Sequence, residues 1–86
     1  MSEAHTNAIK THYICQTYTA KGGGGLEIGK QFQYTTAAEA TARAEREANS
    51  PDCVGADAYM VTEDPNSDEI GEPTFLVRLG TVPEAD

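Results

Sequence analysis

Between Thr36 and Pro51 lies the one stretch of this 86-residue chain with helical character, and the face it would turn inward is built only of alanine. Thr36 and Glu39 form a capping-box pair, each able to satisfy an orphan N–H of a first helical turn. The spacing therefore predicts a helix over Ala37 to Ala48, with Glu39–Arg43 and Arg43–Glu47 pairs at i,i+4, ending before Asn49-Ser50-Pro51 because Pro51 disfavours helical geometry at Ser50. Ala37, Ala40, Ala44 and Ala48 make up its apolar face. Small side chains let the helix axis lie close to a sheet while contributing little apolar area.

The flanking segments read as strands. Thr11 to Thr19 is rich in β-branched and aromatic residues and stops at Ala20-Lys21 and the four glycines Gly22 to Gly25. Leu26, Ile28, Phe32 and Tyr34 then alternate with Glu27, Gln31 and Gln33, and Gly29-Lys30 interrupts the run in the manner of a bulge or kink. Beyond the helix, residues 53 to 63 form a third strand. A turn-rich acidic segment, Glu63 to Pro73, leads to a last strand from Thr74 to Leu79. The fold class this predicts is α+β: a single four-stranded, mainly antiparallel sheet with one helix on one face, in the order β-β-α-β-β.

The chain is long enough for one domain, expected over residues 10–83, after a frayed leader at 1–9 and before a solvated tail at 84–86. No apolar run suits a signal peptide or a spanning helix, so a cytoplasmic protein without membrane contact is expected. Cys15 and Cys53 stand far apart with no CxxC or matching His, which in a reducing compartment favours free thiols. Charge is segregated. Residues 1–50 carry five bases and five acids, whereas residues 51–86 carry nine acids and Arg78 alone, so the net charge of −8 sits in the last part of the chain. That distribution repels phosphate backbones and argues against nucleic-acid binding.

One helix covers one face of a sheet, and the strand patterns divide between the two faces. Leu26, Ile28, Phe32, Ala56, Ala58, Met60, Phe75, Val77 and Leu79 are expected to face the helix. Tyr59, Val61 and Leu76, with Tyr13 and Cys15, would then lie on the uncovered side. Contiguous exposed apolar surface marks association sites. Tyr13, Tyr59, Val61 and Leu76 are therefore the candidate interaction surface, for a protein partner or for a second copy in a homodimer.

Several motifs resemble chemistry without completing it. Gly24 to Lys30 fits GxxxxGK, but Gln31 stands where a Ser or Thr would hold Mg²⁺, and the following residues are strand-like, not helical. Asp64, Asn66 and Asp68 repeat three ligand positions of a calcium loop, whereas Glu69 and Phe75 occupy the positions that need Gly and a bidentate Glu. His12 and Cys15, at odd spacing on a strand, should point to opposite faces and form no dyad. Asp57 reads as an exposed strand position. No catalytic residue, metal site or cofactor is expected.

The tyrosine-bearing first strand, the Lys21-Gly22 loop, the Ala/Arg/Glu helix, Gly55-Ala56-Asp57-Ala58-Tyr59, the acidic loop and the closing Leu79-Gly80-Thr81-Val82-Pro83 together resemble short bacterial proteins of β-β-α-β-β type with no attached activity. The resemblance spans residues 11–84 and implies the strand order and the cytoplasm, with no functional residue to carry over. Two expectations for function follow. The first is a non-enzymatic interaction or accessory module using the uncovered sheet face. The second is a binder of small anions through Lys21, Gly22, Gly23, Gly24, Gly25 and Lys30.

Overall fold

The computed structural model describes residues 9–64 and 69–84. The leader expected at residues 1–9, save Ile9, lies outside them, as do Asn66 and Asp68 of the calcium-like triplet.

The elements run β1 (Lys10–Ala20), β2 (Leu26–Tyr34), α1 (Ala37–Ala48), β3 (Gly55–Asp64), β4 (Glu69–Ile70) and β5 (Thr74–Gly80), which is the predicted β-β-α-β-β order with one addition, the two-residue β4 inside the acidic segment expected as a turn. β1 is central, antiparallel to both β2 and β3. The far edge of β3 takes β5 along Gly55 to Met60 and β4 at Glu63 and Asp64, so the open sheet has four positions. Pro73, which has no N–H for a ladder bond, lies between β4 and β5.

The helix forms over the predicted residues. Thr36 Oγ1 accepts from Glu39 N at 3.2 Å and donates to the Glu39 carboxylate at 3.0 Å, and Asn49 caps the other end. Ala40 and Ala44 are buried against the sheet. Around them lie Cys15, Ala56 and Ala58, with Tyr13, Phe32, Tyr34, Ala48, Leu76, Val77 and Leu79 at the margin. Arg43 closes the outer side, its guanidinium 3.9 Å from the centre of the Phe32 ring and its Nε 2.9 Å from Glu47. Both cysteines are free thiols, Cys15 buried and Cys53 partly so. Burial, aided by Glu47, pushes the Cys15 thiol up to about 11, out of the reactive range.

Two bulges decide which side chains face the helix. In β2, Gln31 pairs with Gln16 but Ile28 pairs with Tyr18, so Gly29 and Lys30 together oppose Thr17. The interruption predicted at Gly29-Lys30 is this bulge. Thr17 Oγ1 holds it by accepting from Lys30 N at 2.7 Å and donating to Lys30 O at 3.2 Å. In β5, Val77 pairs with Ala58 but Phe75 pairs with Tyr59, which leaves Leu76 as the extra residue.

Each bulge shifts the two-residue alternation by one and sends what lies beyond it to the other face. Ile28 and Phe75, expected toward the helix, are thereby turned to the uncovered face, where they are 73% and 36% exposed. Three placements run the other way. Tyr13 and Cys15 sit opposite Met60 and Ala58 in register and share their helix-facing side, and Leu76 packs against the same cluster.

Candidate functional site

The uncovered face of the sheet carries a groove of about 360 Å³. It runs across the strands, from Ile28 and Gln31 on β2, over Gln16 and Tyr18 on β1 and Tyr59 and Val61 on β3, to Phe75 and the preceding Pro73. Of the four residues expected to form an interaction surface, Tyr59 and Val61 line this groove, whereas Tyr13 and Leu76 pack on the helix side. The tyrosine and phenylalanine rings at its far wall meet edge to face, with centroids 5.9 Å apart.

The polar groups of this face are largely satisfied among themselves. Gln31 Nε2 donates to Gln16 Oε1 at 3.1 Å and to the Tyr59 hydroxyl at 3.3 Å. Gln16 Nε2 donates to the carbonyls of Thr17 and Lys30 at 3.0 and 3.1 Å, which ties the glutamine pair to the β2 bulge. Toward the other end of β1, His12 bonds Glu63 at 2.9 Å and Gln33 at 2.8 Å, away from Cys15 as the odd spacing required.

Asp57 corrects the sequence reading. It was expected on an exposed strand position and is 0% exposed. The Tyr18 hydroxyl donates to its carboxylate, 3.2 Å from Oδ2 and 3.5 Å from Oδ1, and Arg78 Nε stands 3.6 Å from Oδ2. Arg78 lies over the Phe75 ring, 4.3 Å from its centre, and its Nη2 donates to the Pro83 carbonyl. Burial raises the Asp57 carboxyl above the usual range, against the opposing pull of Tyr18 and then of Arg78. Burial, with the neighbouring Asp57 charge, pushes the Tyr18 phenol up to about 12. The three side chains act as a fixed polar tie between β1, β3 and β5 beside the groove.

The glycine loop has a different construction from a phosphate cradle. Lys21 N donates to Gly25 O at 3.1 Å and Gly24 N to Lys21 O at 3.0 Å, and Gly23, Gly24 and Gly25 have φ of 93°, 106° and 87°, so these glycines make the β1–β2 turn in a region other residues avoid. A strand, β2, follows the loop, where a phosphate-binding loop leads into a helix. Lys30, assigned to the same expected site as Lys21, belongs instead to the β2 bulge and lines a separate cleft of about 190 Å³ with Thr17, Glu47, Asp52 and Cys53. The two carboxylates there oppose an anion.

Among the described residues there is no group of three or more His, Cys, Asp or Glu side chains placed to hold a metal, and no helix is long and apolar enough to cross a membrane. The fold and the groove together define a small α+β domain whose sheet is clad on one side only. Comparison with protein-family models, with curated proteins and with solved structures found no match to this chain.

The Gly29-Lys30 interruption did carry a signal for Ile28, since an extra residue in the strand reverses the face of everything before it. The β5 bulge at Leu76 has no glycine or other local mark. Nor does the sequence pair Asp57 with Tyr18 and Arg78, because those contacts depend on strand register.

Proposed function

We propose that this chain is a non-enzymatic protein-interaction or accessory module of the cytoplasm, which docks a partner protein against the open face of its sheet. The observation that carries the reading is the outward aim of Ile28 and Phe75, delivered by two separate bulges to opposite ends of one groove. Burial of apolar surface contributes roughly 25 cal/mol per Å², so a residue left as open as Ile28 gains from being covered. Tyrosine, phenylalanine and amide side chains around such a groove are the residues that anchor protein interfaces.

The ionisable groups near the groove are engaged with one another, Asp57 with Tyr18 and Arg78 and His12 with Glu63, which supports a binding role over a catalytic one. The acidic balance of residues 51–86 supports a protein partner over a nucleic acid.

In-cell photocrosslinking tests the reading, with benzoylphenylalanine placed at position 28 and, as control, at the exposed position 45 on the outer side of α1. Crosslinked species from position 28 that are absent from position 45 are expected. Equal yields from both positions, or none from either, would remove the open face as a docking surface.

A further inference from the structure

Resting on that reading, we infer that the occupant of the open face is a basic amphipathic helix of a partner protein, lying across the strands with its apolar stripe in the groove between Ile28 and Phe75.

Three observations lead there. The first is length. The groove crosses from β2 to β5, three inter-strand steps of roughly 4.8 Å each, or about 14 Å. A helix rises about 1.5 Å per residue, so anchors at i, i+3 or i+4, and i+7 span about 10 Å and fit between the two apolar ends.

The second is hydrogen bonding. An extended segment laid on this face would bring unpaired backbone groups to it, and the groove has few free partners for them, since Gln31 is bonded to Gln16 and Tyr59 and Gln16 to the bulge carbonyl. A helix brings a backbone already satisfied within itself and needs only an apolar seat, as in other helix-in-groove complexes.

The third is charge. Val61, Pro73 and Phe75 form the far wall, where Glu72 adjoins them in the chain and is exposed, while Glu63 is bonded to His12 and lies opposite Lys10 in register; the chain as a whole carries −8. Arg78 does not offset Glu72, being paired with Asp57. A partner carrying Lys or Arg beside its apolar stripe complements that rim. A second copy of this chain, itself at −8, is repelled by it.

The test uses two synthetic amphipathic helices of about 18 residues, long enough to hold helical structure on a surface, one with leucines at i, i+3, i+4 and i+7 and lysines elsewhere, the other with glutamates in place of the lysines. Each is titrated into the isotopically labelled full chain and followed by heteronuclear NMR. The lysine peptide is expected to move the amide signals of Ile28, Tyr59 and Phe75 first, and to bind more weakly as NaCl is raised. Ile28→Ser, a change at an exposed position that leaves the fold intact, should weaken it about tenfold, the effect of removing one anchor side chain.

Equal binding of the glutamate peptide, shifts confined to α1, or an unchanged affinity in Ile28→Ser would overturn the inference, and so would crosslinks from position 28 that join two copies of this chain. If the lysine peptide fails while position 28 still crosslinks to another protein, the basic-helix assignment falls alone. If position 28 gives no crosslink either, the docking reading falls with it.

Discussion

Replacing Tyr18 with phenylalanine removes a single oxygen and isolates the contribution of the buried Asp57 tie. The hydroxyl donates to a carboxylate that is fully shielded from solvent, at 3.2 Å from Oδ2, and the remaining partner, Arg78 Nε, stands at 3.6 Å, beyond good hydrogen-bond length. A hydrogen bond to a charged group contributes about 1.5–3 kcal/mol, against about 0.5–1.5 kcal/mol for a neutral pair. Tyr18→Phe is therefore expected to cost about 1.5–3 kcal/mol at pH 7, a large share of the roughly 3–5 kcal/mol available to a small single core.

The cost should depend on pH with a definite sign. Burial raises the Asp57 carboxyl, and a group raised on folding contributes its full stability below its unfolded pKa and loses it as pH rises through the folded value. The Tyr18 hydrogen bond opposes that rise, so its loss lifts the folded pKa further and deepens the decline. The gap between native protein and variant opens with increasing pH and closes toward the neutral-pair value in acid. Urea unfolding followed by circular dichroism, repeated from pH 4 to pH 8, measures it. A gap under about 0.5 kcal/mol at pH 7, or one that widens in acid, would refute the argument.

Asp57→Asn removes the titrating group itself. Relative to this variant, the native protein should lose stability as pH rises through the raised Asp57 pKa, by no more than about 1.4 kcal/mol per pH unit, and parallel pH–stability curves would contradict the burial of a charged carboxylate. Gly55→Ala would drive a Cβ into the Thr81 carbonyl, a backbone contact that cannot rotate away. Chemical denaturation should show a loss of about 1–3 kcal/mol or more. Thr36→Ala deletes the N-cap acceptor of Glu39 N, and thermal melts should report a loss of about 0.5–2 kcal/mol. Ile28→Ser should leave stability within about 0.5 kcal/mol of native, because that side chain is mostly in water. A larger loss would mean that Ile28 serves the core and not a docking surface.

The patterns read directly from the residues were those that depend on near neighbours. The capping box at Thr36 and Glu39, the alanine stripe of α1, the two hairpin segments and the Gly29-Lys30 interruption are each specified within a few positions, and each took its expected form. Tyr59 and Val61 also reached the open face as their alternation required.

What depended on tertiary structure was the phase of each strand against its partners. A period of two fixes which residues of a strand share a face, and pairing across the sheet fixes which face that is. Tyr13 and Cys15 face the helix because they sit opposite Met60 and Ala58, and a single extra residue at Leu76 was enough to turn Phe75 outward. Asp57 became a buried partner of Tyr18 and Arg78 for the same reason: side chains 39 and 21 positions away meet only once the register of three strands is set. The amino-acid order alone thus determined the elements and their succession, while the groove on the uncovered face arose from long-range strand pairing, whose closure no local preference encodes.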